Sequence, residues 1–119
     1  MALHLYAGIP VSDLGRAVEW YGLLLGDDEP YVAGDTEAVW DLDTGRSVYV
    51  IHDPDEAGRA LVSMYLDGPG ELTEWLEHVD RVGIEVSSDE TYPSGVRRVE
   101  FHDPDGNEIV LGGMPQANA

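Results

Sequence analysis

The segment Val99-Glu100-Phe101-His102, then Asp103-Pro104-Asp105-Gly106-Asn107, then Glu108-Ile109-Val110-Leu111 constrains the fold more than any other stretch of the chain. Apolar residues alternate with others on both sides of a Pro/Asp/Gly/Asn cluster, the pattern of a β-hairpin whose loop has three to five residues. Proline presets φ for a turn and glycine supplies a positive φ. One face of each strand must then be buried, and Val99, Phe101, Ile109 and Leu111 are the candidates for it.

With 119 residues and 43% hydrophobic content, the chain is sized for one folded domain. No apolar run approaches the roughly 20 residues of a membrane span. The start, Met-Ala-Leu-His-Leu, lacks the basic flank and apolar core of a signal peptide, so a cytoplasmic location is the default expectation. Without cysteine there are no disulfides, thiolate nucleophiles or zinc-thiolate sites. The formal net charge is −18, with six arginines and no lysine. Such a surface repels phosphate backbones and anionic membranes, which argues against nucleic-acid and membrane partners. It is either a solvated surface suited to an acid-rich proteome or a field that attracts cationic ligands.

Two halves of the chain share one order of elements. Leu3, Leu5, Ala7 and Ile9 alternate with His4, Tyr6 and Gly8, as in a half-buried strand. Ser12 is the expected helix N-cap, with Asp13 at the positive end of the helix. Leu14, Ala17, Val18, Tyr21, Leu24 and Leu25 recur at helical spacing up to Gly26. Strands are expected around Glu29–Val32, Glu37–Asp41 and Ser47–Ile51. In the second half, Arg59–Leu66 reads as a strand, and Leu72, Trp75, Leu76 and Val79 as a helix ending by Gly83. Ile84-Glu85-Val86 reads as a short strand, Ser87–Gly95 as a polar loop, and the hairpin closes the unit. The expected fold class is α+β, a single domain of tandem βαβββ modules at about 1–52 and 59–114. A linker at about 53–58 joins them, and a short tail covers 115–119. His52-Asp53-Pro54-Asp55 repeats the tetrapeptide at His102, but follows a module's last strand where the other precedes one. The match is a coincidence, and Asp43-Thr44-Gly45 is the counterpart of the closing turn.

Ile9-Pro10-Val11-Ser12-Asp13-Leu14, Ala17-Val18, Trp20-Tyr21 and Leu25-Gly26 at the front, with the hairpin at the back, resemble the vicinal oxygen chelate family. This is the group of glyoxalase I, bleomycin-resistance proteins and extradiol dioxygenases. The resemblance spans nearly the whole chain. It implies a cupped mixed sheet with helices on the outer face, in a homodimer. Pro10 has two readings, as an edge-strand proline or as a mark of first-strand exchange between subunits. Metal-dependent members carry His, Gln or Glu at four strand positions, which fall here on Tyr6, Tyr49, the region of Leu61, and Val110. A divalent metal wants imidazole nitrogen or carboxylate oxygen at about 2.0–2.2 Å. The resemblance therefore points away from the family's metal, and neither metal nor other cofactor is expected. His4 shares the face of Tyr6 and His102 ends a neighbouring strand, but no third ligand joins them.

Alternation places Tyr6, Asp41, Tyr49, Tyr65, Arg98, Glu100 and His102 toward the cup as ligand-binding candidates. Tyrosines offer stacking faces, the acids and His102 hold a cation or a polar group, and Arg98 pairs with Glu100 or an anion. No catalytic residue is assigned. The expected function is metal-independent binding of a small molecule, sequestering a cationic or aromatic compound such as an antibiotic. The alternative is a lyase, isomerase or dioxygenase with an altered metal site, in which Tyr6, Tyr49 or His102 supplies acid/base chemistry. A third option is a dimerising module without a ligand.

Overall fold

The computed structural model describes residues 2–114 and contains two compact units. The first runs to Ala60 and also takes in Asp103–Asn107; the second comprises Leu61–His102 and residues 108–114. The tail expected at 115–119 lies outside the described residues.

In the first unit, β1 (Leu5–Val11), α1 (Leu14–Leu25), β2 (Tyr31–Ala33), β3 (Glu37–Asp43) and β4 (Arg46–His52) follow in order. They form a four-stranded mixed sheet ordered β1-β4-β3-β2, with β1 parallel to β4 and the other pairs antiparallel. The helix-side face buries Ile9, Val11, Ala38, Trp40, Val48 and Val50 against Ala17, Tyr21 and Leu24 of α1. The apolar alternation of β1 is thus buried only at its far end. Leu3 and Leu5 were expected on the core face but remain 80% and 69% exposed. Leu3 precedes β1 and Leu5 begins it, and burial along the strand sets in only toward its end. Pro10 sits in an edge strand, where its missing N–H costs no ladder bond.

Helix α1 is capped by Asp13, not Ser12: the Asp13 side chain accepts from the Arg16 N–H at 3.0 Å. Ser12 turns to the closing turn, donating its N–H (2.9 Å) and its hydroxyl (2.5 Å) to the Asp105 carboxylate. At the other end Gly26 takes the left-handed conformation (φ 72°) that ends the helix.

The second unit has the same order: β5 (Leu61–Leu66), α2 (Glu71–Val82), β6 (Ser88–Thr91), β7 (Arg97–His102) and β8 (Glu108–Gly113). Its sheet is ordered β5-β8-β7-β6, again with one parallel pair, β5 with β8. Leu72 and Val79 of α2 are buried together with Val99, Phe101, Ile109 and Leu111 of the hairpin. The expected α+β class and the βαβββ order are both present. One strand was misplaced: Ile84–Val86 is not a strand, and β6 forms instead from Ser88-Asp89-Glu90-Thr91, inside the expected loop. Every β6 residue is exposed at the sheet edge, so no burial alternation marks it in sequence. Arg97 fastens it by a two-pronged ion pair to Asp89 (2.9 and 2.6 Å), which holds the Asp89 carboxyl below its usual range. The pair is solvent-exposed and adds little stability.

The turn Asp103–Asn107 is built around a buried carboxylate. Asp103 accepts from Tyr21 Oη (2.7 Å), Asn107 Nδ2 (2.8 Å) and the backbone N–H groups of Asp105 and Asn107 (both 2.9 Å). Asn107 also donates to the Pro10 carbonyl (2.8 Å) and accepts from the Ala60 N–H (2.9 Å). Burial, followed by the Asp103 charge and hydrogen bond, pushes the Tyr21 phenol well above its usual range. A raised pKa adds stability that is present below the ordinary tyrosine range and lost as pH rises through it. Tyr21→Phe is therefore expected to cost about 1–3 kcal/mol at neutral pH. It should also make the fall in stability above about pH 10 shallower, both read from urea unfolding at stepped pH.

Candidate functional site

Strand register turns the face of the first sheet opposite α1 into rows of side chains. Tyr6 of β1, Ser47 of β4 and Asp41 of β3 form one row. Gly8, Tyr49, Val39 and Tyr31 form the next. Tyr6, Asp41 and Tyr49, three of the residues singled out by alternation, thus lie in adjacent rows. Tyr6 is 55% exposed and Tyr31 72% exposed, while Tyr49 is half-buried.

The rings are positioned by their neighbours. The Tyr49 ring lies across Gly8: a Cβ on Gly8 would come within 2.6 Å of Tyr49 Cζ and Oη. Gly8 does not have a positive φ, so the ring, not the backbone, is what requires glycine here. Tyr6 meets Tyr49 edge to face at 6.5 Å, and the His4 ring stacks on Tyr6 at 4.3 Å with planes 13° apart. Beneath them Ser47, 3% exposed, donates its hydroxyl hydrogen to Asp41 Oδ1 (2.5 Å) and meets His4 Nε2 at 2.7 Å. Sequence reasoning did not find Ser47 or Tyr31. Ser47 has the parity of Tyr49 on β4, which was the available signal.

The second sheet has its own face opposite the buried apolar set. Tyr65, Gly112, Arg98 and Glu90 form one row; Ser63, Val110, Glu100 and Ser88 the next; Leu61, Glu108 and His102 a third. This brings Tyr65, Arg98, Glu100 and His102 onto one face, as alternation indicated. Arg98 Nη1 lies 3.6 Å from Glu100 Oε2, and His102 Nε2 lies 3.7 Å from Glu100 Oε1. Ser87 Oγ meets His102 Nδ1 at 3.1 Å.

The donor chemistry at the family's four metal positions does not fit a divalent ion. Two are tyrosines in a stacked aromatic cluster. Val110 has Ser63 beside it on β5, and Leu61 pairs with Glu108, so neither side chain contributes a ligand atom. Glu100, His102 and Glu108 do bring three donor atoms within 4.8 Å of one another. Glu100 there already faces the Arg98 guanidinium, which competes with any cation for its carboxylate.

Comparison with known proteins agrees with this architecture. The family model for the glyoxalase/bleomycin resistance protein/dioxygenase superfamily matches residues 3–111. A glyoxalase/bleomycin resistance protein from Catenulispora acidiphila is 41% identical with a TM-score of 0.88, covering 96% of this chain and 100% of that one. Lactoylglutathione lyase from Agrobacterium tumefaciens shares the fold at 20% identity and a TM-score of 0.75, covering 95% and 94%. A genomically encoded fosfomycin resistance protein from Listeria monocytogenes shares it at 16% identity and a TM-score of 0.72, covering 95% and 93%. No curated protein matches the chain. The family match over nearly the full length, with the 41% identical structure, shows that the chain belongs to the glyoxalase/bleomycin resistance protein/dioxygenase superfamily.

Proposed function

We propose that this protein binds a small aromatic cation without using the family's metal, sequestering it in the manner of drug-resistance relatives. One observation carries the reading: a single face holds the Asp41 carboxylate in the row of Tyr6 and beside the row of Tyr49 and Tyr31. Aromatic faces and a carboxylate attract the same ligand, one with a flat π-system and a positive charge. The net charge of −18 extends that attraction beyond contact range. The 41% identical glyoxalase/bleomycin resistance protein supports a resistance-type role at the level of the family.

The rival reading, an enzyme with a rearranged metal site, has Glu100, His102 and Glu108 to draw on. Elemental analysis of purified protein separates the two. The binding reading expects less than stoichiometric metal and undiminished ligand affinity after chelation; one tightly held metal per chain that binding requires would overturn it.

Titration with proflavine, a planar cation, is expected to quench tyrosine and tryptophan fluorescence saturably, with affinity falling as salt is added. Binding restricted to anionic compounds would contradict the proposal. Tyr49→Ala should weaken proflavine by about two- to thirtyfold, the span of a cation–π contact. Gly8→Ala should weaken it comparably by displacing the ring. Its melting temperature should change little, because alanine's smaller unfolded-state entropy, about 0.4–1 kcal/mol, offsets the shifted ring.

A further inference from the structure

The chain of contacts from Asp41 through Ser47 to His4 has a direction. A carboxylate only accepts hydrogen bonds, so the Ser47 hydroxyl must spend its one hydrogen on Asp41 Oδ1. Its oxygen can then meet His4 Nε2 at 2.7 Å only as an acceptor, so Nε2 carries the imidazole hydrogen. Neutral His4 is thereby fixed in one tautomer, with an unprotonated Nδ1 as its remaining polar atom. Among the described residues no hydrogen-bond partner of Nδ1 appears, and His4 is exposed. The ring is also held in orientation, stacked on Tyr6 with the planes 13° apart.

We infer that His4 makes this face selective for ammonium ligands that carry an N–H, that is, protonated primary, secondary or tertiary amines over quaternary ammonium ions. The inference rests on the proposed binding of aromatic cations and names the chemical class within it. The rings attract any cation alike, whereas the Asp41 carboxylate, one oxygen of which is taken by Ser47, can itself accept from an N–H cation. The Nδ1 lone pair adds a charge-assisted hydrogen bond that only an N–H cation can complete. Ser47 and Asp41 act as positioning residues, because they set which nitrogen of His4 accepts. Apart from the Asp41 carboxylate, the charged groups near His4 do not duplicate this acceptor. Arg46 and Asp43 pair with each other across the β3–β4 turn, and Arg46 lies in register with Leu5, on the opposite parity to His4 and Tyr6.

Two probes of nearly equal bulk isolate the effect: the dimethylammonium and trimethylammonium derivatives of naphthylmethylamine, titrated calorimetrically at about pH 8, where imidazole is neutral and alkylammonium charged. The native protein is expected to prefer the dimethyl compound by about tenfold, the scale of one hydrogen bond to a charged group. His4→Phe keeps a ring on Tyr6 but has no acceptor. It should lower the preference severalfold, leaving only what the Asp41 carboxylate contributes. Ser47→Ala frees the tautomer and should reduce the preference with His4 still in place. Equal binding of both probes to the native protein, or a preference undiminished in His4→Phe, would overturn the inference while leaving cation binding intact. Failure of the native protein to bind either probe would overturn the underlying binding proposal together with it.

Discussion

A buried carboxylate, Asp103, is the constraint on which the first unit depends. At 5% exposure it has no cationic partner among the described residues, so its charge must be balanced by hydrogen bonds. Four donors supply them: the Tyr21 phenol, the Asn107 amide and two backbone N–H groups of its own turn. This explains why aspartate and asparagine stand four residues apart, and why α1 places a tyrosine and not a phenylalanine at position 21. Through Asn107 the same network ties the turn to Pro10 of β1 and to Ala60. Residues late in the chain thereby complete the unit formed by its first sixty residues. No buried side-chain polar atom among the described residues is left without a partner. Such a network rigidifies because any single loss leaves a desolvated group behind.

A sheet anchored in this way can present its other face for binding. Parallel pairing of β1 with β4, and antiparallel pairing of β4 with β3, set Tyr6, Ser47 and Asp41 in one line. A one-residue slip in any of these pairs would send a ring or the carboxylate to the helix side. Gly8 leaves room for the Tyr49 ring, so its bare Cα is part of the surface. The groups on this face suit the proposed recognition: π-faces, the Asp41 and Glu37 carboxylates and an oriented imidazole. At the positions where metal-dependent relatives place ligands, the chain offers hydroxyls on aromatic rings or aliphatic side chains.

Much of this was readable before the fold. The turn cluster at Asp103–Asn107, the helix ends at Gly26 and Gly83, and the faces of β3, β4, β5, β7 and β8 follow from local chemistry and period-two alternation. What escaped the reading depends on distant partners. Alternation in β1 placed Leu3 and Leu5 in the core, yet burial on that face reaches only Ile9 and Val11 at the far end of the strand. Ser12 looked like the cap until Asp105, more than ninety residues away, claimed its hydroxyl. The strand β6 carries no apolar signal because it is held by edge pairing and by Arg97. Tyr6, Asp41 and Tyr49 could be assigned to a face, but Ser47 between them gained its role only when three strands came into register.

The central claim is that the tyrosine-lined face of the first sheet binds an aromatic cation without metal. Two-dimensional NMR of chelator-treated, isotopically labelled protein during addition of such a cation tests it most directly. The account predicts saturable shift changes centred on Tyr6, Gly8, Asp41, Ser47 and Tyr49. Changes centred instead on Glu100, His102 and Glu108, or appearing only when a divalent metal is restored, would contradict it.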